Sequence, residues 1–119
     1  MSAFSSILIV FVAVEFFYIM YLETFATHSK ATSRVFNLSQ NELKSKNVTI
    51  LFKNQGVYNG LIGLALFYSV FFSNSSIELS RLFLCYIILV AIYGSLTSNK
   101  KIIITQGGLA IIALVTTFL

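Results

Sequence analysis

From Ala3 to Leu22 the chain is almost unbroken hydrocarbon, with one acid, Glu15, near the middle of the run. A helix of about 20 such residues crosses the hydrocarbon core of a bilayer. Three further apolar runs follow, at about 51–72, 77–96 and 102–119, and the first extends over about 3–25. Of the 119 residues, 57% are hydrophobic and 10% are charged, too few polar residues to cover a water-facing surface. Soluble domains carry about 25% charged residues. The runs are continuous, not alternating, which favours helices over barrel strands. The expected fold is therefore an all-α membrane protein, a single membrane domain over 1–119. It is expected to be an antiparallel four-transmembrane-helix bundle. The turns at Ser73–Ser76 and Thr97–Lys101 are short, which makes successive helices neighbours. The last two runs are short for a span, so little tilt or local bilayer thinning is expected.

The first connection, about 26–50, is long. Within it Ser39-Gln-Asn-Glu42 has the spacing of a capping box, in which the serine and the glutamate each satisfy the other's exposed amide. A cytoplasmic or interfacial helix, or an extension of the second span, is expected to begin there. Lys30, Arg34, Lys44, Lys46 and Lys53 lie in or beside this connection, and Lys100 and Lys101 in the third. Only Arg81 falls on the other side. Basic residues collect on the cytoplasmic face. The expectation is a multi-pass plasma-membrane protein with both termini extracytoplasmic. No basic stretch or cleavage site marks the first run as a signal peptide.

Other classes find little support. The net charge of +4 comes from those topology-determining lysines and arginines, not from a nucleic-acid patch. Cys85, alone in an apolar run, is expected to be an inert thiol. His28 has no second His or Cys near it, so no metal site is expected. No nucleotide-binding loop or nucleophile motif occurs, and no cofactor is expected.

The polar residues inside the runs carry what functional information there is. A charge near mid-membrane costs about 2.5–3.5 kcal/mol on insertion scales. Glu15 should therefore face protein, with Tyr18 one turn away as the nearest partner. At about 1.5 Å per residue, and with Phe25 and Lys53 taken as the cytoplasmic ends, Glu23 lies level with Gln55 and Glu15 level with Gly63. A Glu23–Lys53 ion pair is one expectation. Asn54, Gln55, Tyr58 and Asn59 share one stripe of the second span. Tyr93 and Gln106 come to the same depth from the third and fourth. Glu15, Tyr18, Glu23, Asn54, Gln55, Tyr58, Asn59, Tyr93 and Gln106 are accordingly the candidate ligand-binding or coupling residues, most of them expected to face the bundle interior. Single Asn, Gln and Tyr residues also serve as interhelical glue, each worth about 0.6 kcal/mol. Gly56, Gly60 and Gly63 allow a helix, in this chain or in a second copy, to approach closely.

Val14-Glu-Phe-Phe-Tyr-Ile-Met-Tyr-Leu-Glu-Thr-Phe25, Arg34-Val-Phe36, Asn54-Gln-Gly-Val-Tyr-Asn-Gly60, Ala91-Ile-Tyr-Gly94 and Gln106-Gly107 occur in one order along the chain. In these blocks the sequence resembles the bacterial membrane family called domain of unknown function 1304. That family often has His after the first Glu, where Phe16 stands here, and Trp or Pro beyond the second, both absent here. An epimerase label attached to some members implies an isomerase reading.

Two functional classes compete at this stage. In the first, Glu15 is the proton- or cation-coupling carboxylate of a small-molecule transporter. The outline is similar to small multidrug exporters, although those have short loops and little basic-residue bias. The alternative is a membrane enzyme of isomerase or epimerase type acting on a lipid-like substrate, with Glu23, Tyr58, Asn59 and Tyr93 as acid–base groups. A ligand-binding or accessory role is the third option. In each case the partners are the bilayer and a small-molecule or lipid ligand.

Overall fold

Residues 1–98 and 100–119 are described by a computed structural model. Asn99, part of the third expected connection, lies outside the described residues. Among the described residues the structure is all-helical. The elements are α1 (Ala3–Met20), a π-helical turn (Tyr21–Phe25), α2 (Lys30–Phe36), α3 (Gln40–Lys44), α4 (Lys46–Phe71), α5 (Ser76–Thr97), α6 (Ile102–Thr105) and α7 (Gly108–Thr116). Among the described residues, two stretches, Ala3–Phe25 and Ser76–Thr97, are long and apolar enough to cross a membrane. The second apolar run is helical from Lys46 onward, but Lys53, Asn54, Gln55 and Asn59 dilute its first half.

The fourth run departs from expectation. It is not one helix from Ile102 to Leu119 but two short ones, broken at Gln106–Gly107. The break is local. The Gln106 and Gly107 amides still bond to the Ile102 and Ile103 carbonyls at 2.8 and 3.1 Å.

The chain divides into two compact units, Met1–Ala13 with Leu64–Leu119, and Val14–Gly63. In the first, α5 packs antiparallel to α6 and α7. At one end the Ser95 hydroxyl accepts from the Ile103 amide at 2.7 Å. At the other, Arg81 donates through Nε to Thr117 Oγ1 at 3.0 Å and through Nη2 to the Thr117 carbonyl at 2.7 Å. The guanidinium also lies over the Phe118 ring, 3.7 Å from its centroid. At the same end Ser5 donates to Thr116 at 2.9 Å. Gly107 permits the close packing: a Cβ there would meet Ala91 Cβ at 3.1 Å and the Ile103 carbonyl at 2.8 Å.

In the second unit the connection after the π-helical turn folds back as α2 and α3. Asn37 ends α2 in the left-handed region, φ 56°, where Asn is better tolerated than most residues. The capping box at Ser39 and Glu42 is formed in both directions, at 3.0 and 3.1 Å. Ser45 is extended, which separates α3 from α4.

Exposure follows the helical repeat. Along α1 and the π-helical turn, Phe4, Ile7, Phe11, Val14, Tyr18, Tyr21 and Phe25 are exposed, at alternating spacings of three and four. On α4 the exposed stripe includes Ile50, Val57, Leu61, Leu64, Tyr68 and Phe71. The buried side mixes large residues, among them Ile9, Val12, Phe16, Leu22, Leu66, Leu84 and Ile87, with small ones at Ala13, Gly56, Gly60, Gly63, Ala91, Gly107, Ala110 and Ala113. In water the exposed faces would be polar. Here they are apolar, and the glycines among the small inner residues allow close backbone approach.

Candidate functional site

Glu23 is fully buried and lies within the π-helical turn. Such turns carry one residue more than an α-turn and recur at functional sites. Here the Ala26 amide bonds to the Tyr21 carbonyl, five residues back, at 2.9 Å. Threonine hydroxyls bond to carbonyls in and beside the turn. Thr27 Oγ1 donates to the Glu23 carbonyl at 2.6 Å. Thr32, fully buried, lies 2.9 Å from the Leu22 carbonyl and 2.7 Å from that of Ala26, so its single hydroxyl proton is shared between them. Thr24 Oγ1 donates to the Lys53 carbonyl on α4 at 3.0 Å. The turn and its contact with α4 are thus held by side chains that the sequence places one, four and nine residues after Glu23.

The carboxylate meets two amides from α4. Gln55 Nε2 donates to Oε2 at 2.5 Å and Asn59 Nδ2 to Oε1 at 2.6 Å. Gln55 and Asn59 are four apart on the helix, so both reach the same point. The depth reckoning that put Glu23 level with Gln55 agrees with this geometry. The expected Glu23–Lys53 pair does not form. The amides occupy both carboxylate oxygens, and Lys53 contributes its carbonyl to Thr24 instead. Side-chain amides have a property that Lys lacks: each carries a donor and an acceptor, exchangeable by rotation. They can donate to a carboxylate and accept from a carboxylic acid.

Glycine sets the approach. A Cβ on Gly56 would overlap the Thr24 hydroxyl and stand 3.1 Å from Glu23 Cβ. A Cβ on Gly60 would overlap the Met20 thioether. Gly56 and Gly60 therefore let α4 come close enough for side chains as short as Asn59 to reach the acid.

The other expected residues are placed differently. Tyr18, Asn54, Tyr58 and Tyr93 are exposed, and so is most of Gln55 despite its bond to Glu23. Of the nine residues expected mostly to face inward, these five are exposed. Tyr18 instead stacks on Tyr21, with ring centroids 6.5 Å apart. A phenol suits an exposed face at the edge of a membrane as well as it suits a cavity. The Tyr93 carbonyl accepts from Thr97 Oγ1 at 2.8 Å. Gln106 is half-buried at the break between α6 and α7. Glu15 is also half-buried, and its Oε1 is shielded from solvent without a hydrogen-bond partner. Sequence reasoning missed Thr24, Thr27 and Thr32. Their only signal was three threonines clustered just after an acid at a helix end.

No solved structure matches the chain. It is 66% identical over 118 residues, 99% of each sequence, to the Uncharacterized protein YpaA of Lactococcus lactis subsp. lactis (strain IL1403). Residues 10–118 match the family described as Protein of unknown function (DUF1304), and with that coverage the chain belongs to it.

Proposed function

We propose that this protein is a four-span plasma-membrane bundle that couples movement of a small molecule to a proton or cation at Glu23. The spans are α1 with the π-helical turn, α4, α5, and α6 with α7. Both termini lie outside, and the Lys-rich first and third connections lie in the cytoplasm. The apolar outer faces and small inner residues support this arrangement, as does the seven-to-one division of basic residues. The last span is short, about 22 Å over 102–116, and it needs a locally thin bilayer.

One observation carries the coupling reading. A fully buried carboxyl, inside a membrane-compatible helix, is held by two neutral amides and not by a cation. A cation partner would fix it as an ion pair. Two amides that can rotate hold either protonation state, and their carbonyl oxygens can share a bound cation with the carboxylate. Glu15 is eight residues closer to the N-terminus, about 12 Å along an α-helix. Its unpartnered oxygen makes it the next station along the same path. Intramembrane acids of this kind mark proton and ion pathways.

The test is flux in reconstituted vesicles loaded with a pH-sensitive dye. Wild-type vesicles are expected to move protons when gradients of sodium, potassium or small organic cations are imposed. Glu23→Gln keeps the size and the hydrogen bonding but cannot exchange a proton. It should retain wild-type helicity and lose the coupled response. An equal response from both proteins would remove Glu23 from the coupling step.

A further inference from the structure

Beside the buried acid the second unit carries an open depression of about 320 Å³, lined by Phe25, Ala26, Thr27, His28, Ser29 and Lys53. That is near the lower end of ligand-pocket sizes. Most polar groups in its wall are already committed. Thr27 Oγ1 donates to the Glu23 carbonyl, and Ser29 Oγ donates to Thr32 Oγ1 at 3.0 Å. His28 Nε2 lies 3.0 Å from Thr49 Oγ1. The Thr49 hydroxyl spends its own proton on the Leu43 carbonyl at 2.7 Å, so toward His28 it accepts, and Nε2 carries the hydrogen. Lys53 is the one lysine or arginine in the lining, and it is exposed.

The depression also continues an apolar surface. Phe25, on its rim, is 73% exposed and ends the α1 stripe of Val14, Tyr18 and Tyr21. Lys53 stands on the α4 stripe between Ile50 and Val57, with Leu61 one turn further along. Lys53, set within the α4 stripe and lining the same depression as Phe25 at the end of the α1 stripe, matches an amphiphile with an anionic head and hydrocarbon chains. We propose that this depression seats the phosphate of an anionic phospholipid of the inner leaflet. Lys53 neutralises the phosphate, and the acyl chains lie along Val57 and Leu61 on one side and Tyr21 and Phe25 on the other. The proposal rests on the membrane arrangement above but not on the coupling role of Glu23.

The experiment is native mass spectrometry of the purified full chain released from detergent, titrated separately with phosphatidylglycerol, phosphatidylcholine and inorganic phosphate. Phosphatidylglycerol is expected to stay bound to the wild-type protein and phosphatidylcholine to leave. Lys53→Gln should weaken phosphatidylglycerol retention about fivefold, the size of one basic residue's attraction near an anionic surface. Lys53→Arg should restore it. Lys44→Gln, a change to an exposed cation on α3 away from the depression, should have no effect. Equal losses from Lys53→Gln and Lys44→Gln would overturn the site in favour of diffuse attraction. Displacement of phosphatidylglycerol by inorganic phosphate would overturn the lipid in favour of a small anion. Failure of the membrane arrangement itself is read separately: alkaline carbonate would then strip the wild-type protein from membranes.

Discussion

Gly56→Leu is expected to be the most disruptive single change at the helix pair that builds the site. Its first side-chain carbon already overlaps the Thr24 hydroxyl and crowds Glu23 Cβ. Relief requires α4 to retreat. The retreat breaks the Thr24–Lys53 bond and pulls Gln55 and Asn59 away from the acid. Overpacking alone costs about 1–3 kcal/mol. The lost interhelical bonds average about 0.6 kcal/mol each in membranes. A loss of about 3 kcal/mol follows, read as a lowered midpoint of thermal unfolding in micelles. Gly60→Ala should cost less, because the atom it meets is the thioether of the flexible Met20. Gly108→Ala meets nothing within 4 Å and should be neutral or stabilising. If the three substitutions had equal effects, close packing at Gly56 would not be what holds α4 in place.

The second large effect is expected at Glu23, and it separates two kinds of loss. Glu23→Ala removes the acceptor shared by Gln55 and Asn59. A buried polar group left unsatisfied costs about 1–3 kcal/mol. Asn59 is half-buried and bears most of that cost, whereas Gln55 is exposed and can turn outward. The expected loss is about 2–3 kcal/mol. Glu23→Gln keeps an acceptor, and one partner amide can rotate to accept the new donor, so the loss should stay under about 1 kcal/mol. Thermal unfolding of the two variants side by side checks the difference. A Glu23→Gln protein as unstable as Glu23→Ala would mean that the site needs the ionised acid and not merely an acceptor.

Much of this architecture is legible in the sequence because it rests on local rules. Apolar length marked the long helices. The spacing of Ser39 and Glu42 marked the start of α3. Counting rise per residue from Phe25 and Lys53 put Glu23 level with Gln55. What the sequence hid has physical causes. The depth and angle reckoning assumed an unbroken α-helix through Glu23, whereas the π-helical turn inserts a residue and re-aims everything after it. Nothing in a helical wheel announces that turn, since its carbonyls are satisfied by threonines that read as ordinary polar residues. Tyr18, Tyr58 and Tyr93 were drawn into the site by their hydroxyls, yet an amphipathic ring is equally at home on an exposed face. The break at Gln106–Gly107 falls at the Gly107–Gly108 pair, a helix-weakening signal inside an otherwise apolar run, where Gly107 also comes close to Ala91. Charge and similar depth suggest a Lys53–Glu23 pair. Two amides that reach both carboxylate oxygens supplant it.

The account turns on Glu23 being an exchangeable carboxyl whose two amide partners turn with it. Infrared difference spectroscopy of the reconstituted protein across a pH titration tests that directly. The account predicts a carboxylic-acid stretch that appears and disappears reversibly, accompanied by shifts in the side-chain amide carbonyl bands. Glu23→Gln should abolish the acid stretch attributable to this site, and Glu15→Gln should leave it in place. A carboxyl spectrum that does not change with pH, or a change that survives intact in Glu23→Gln, would contradict the account.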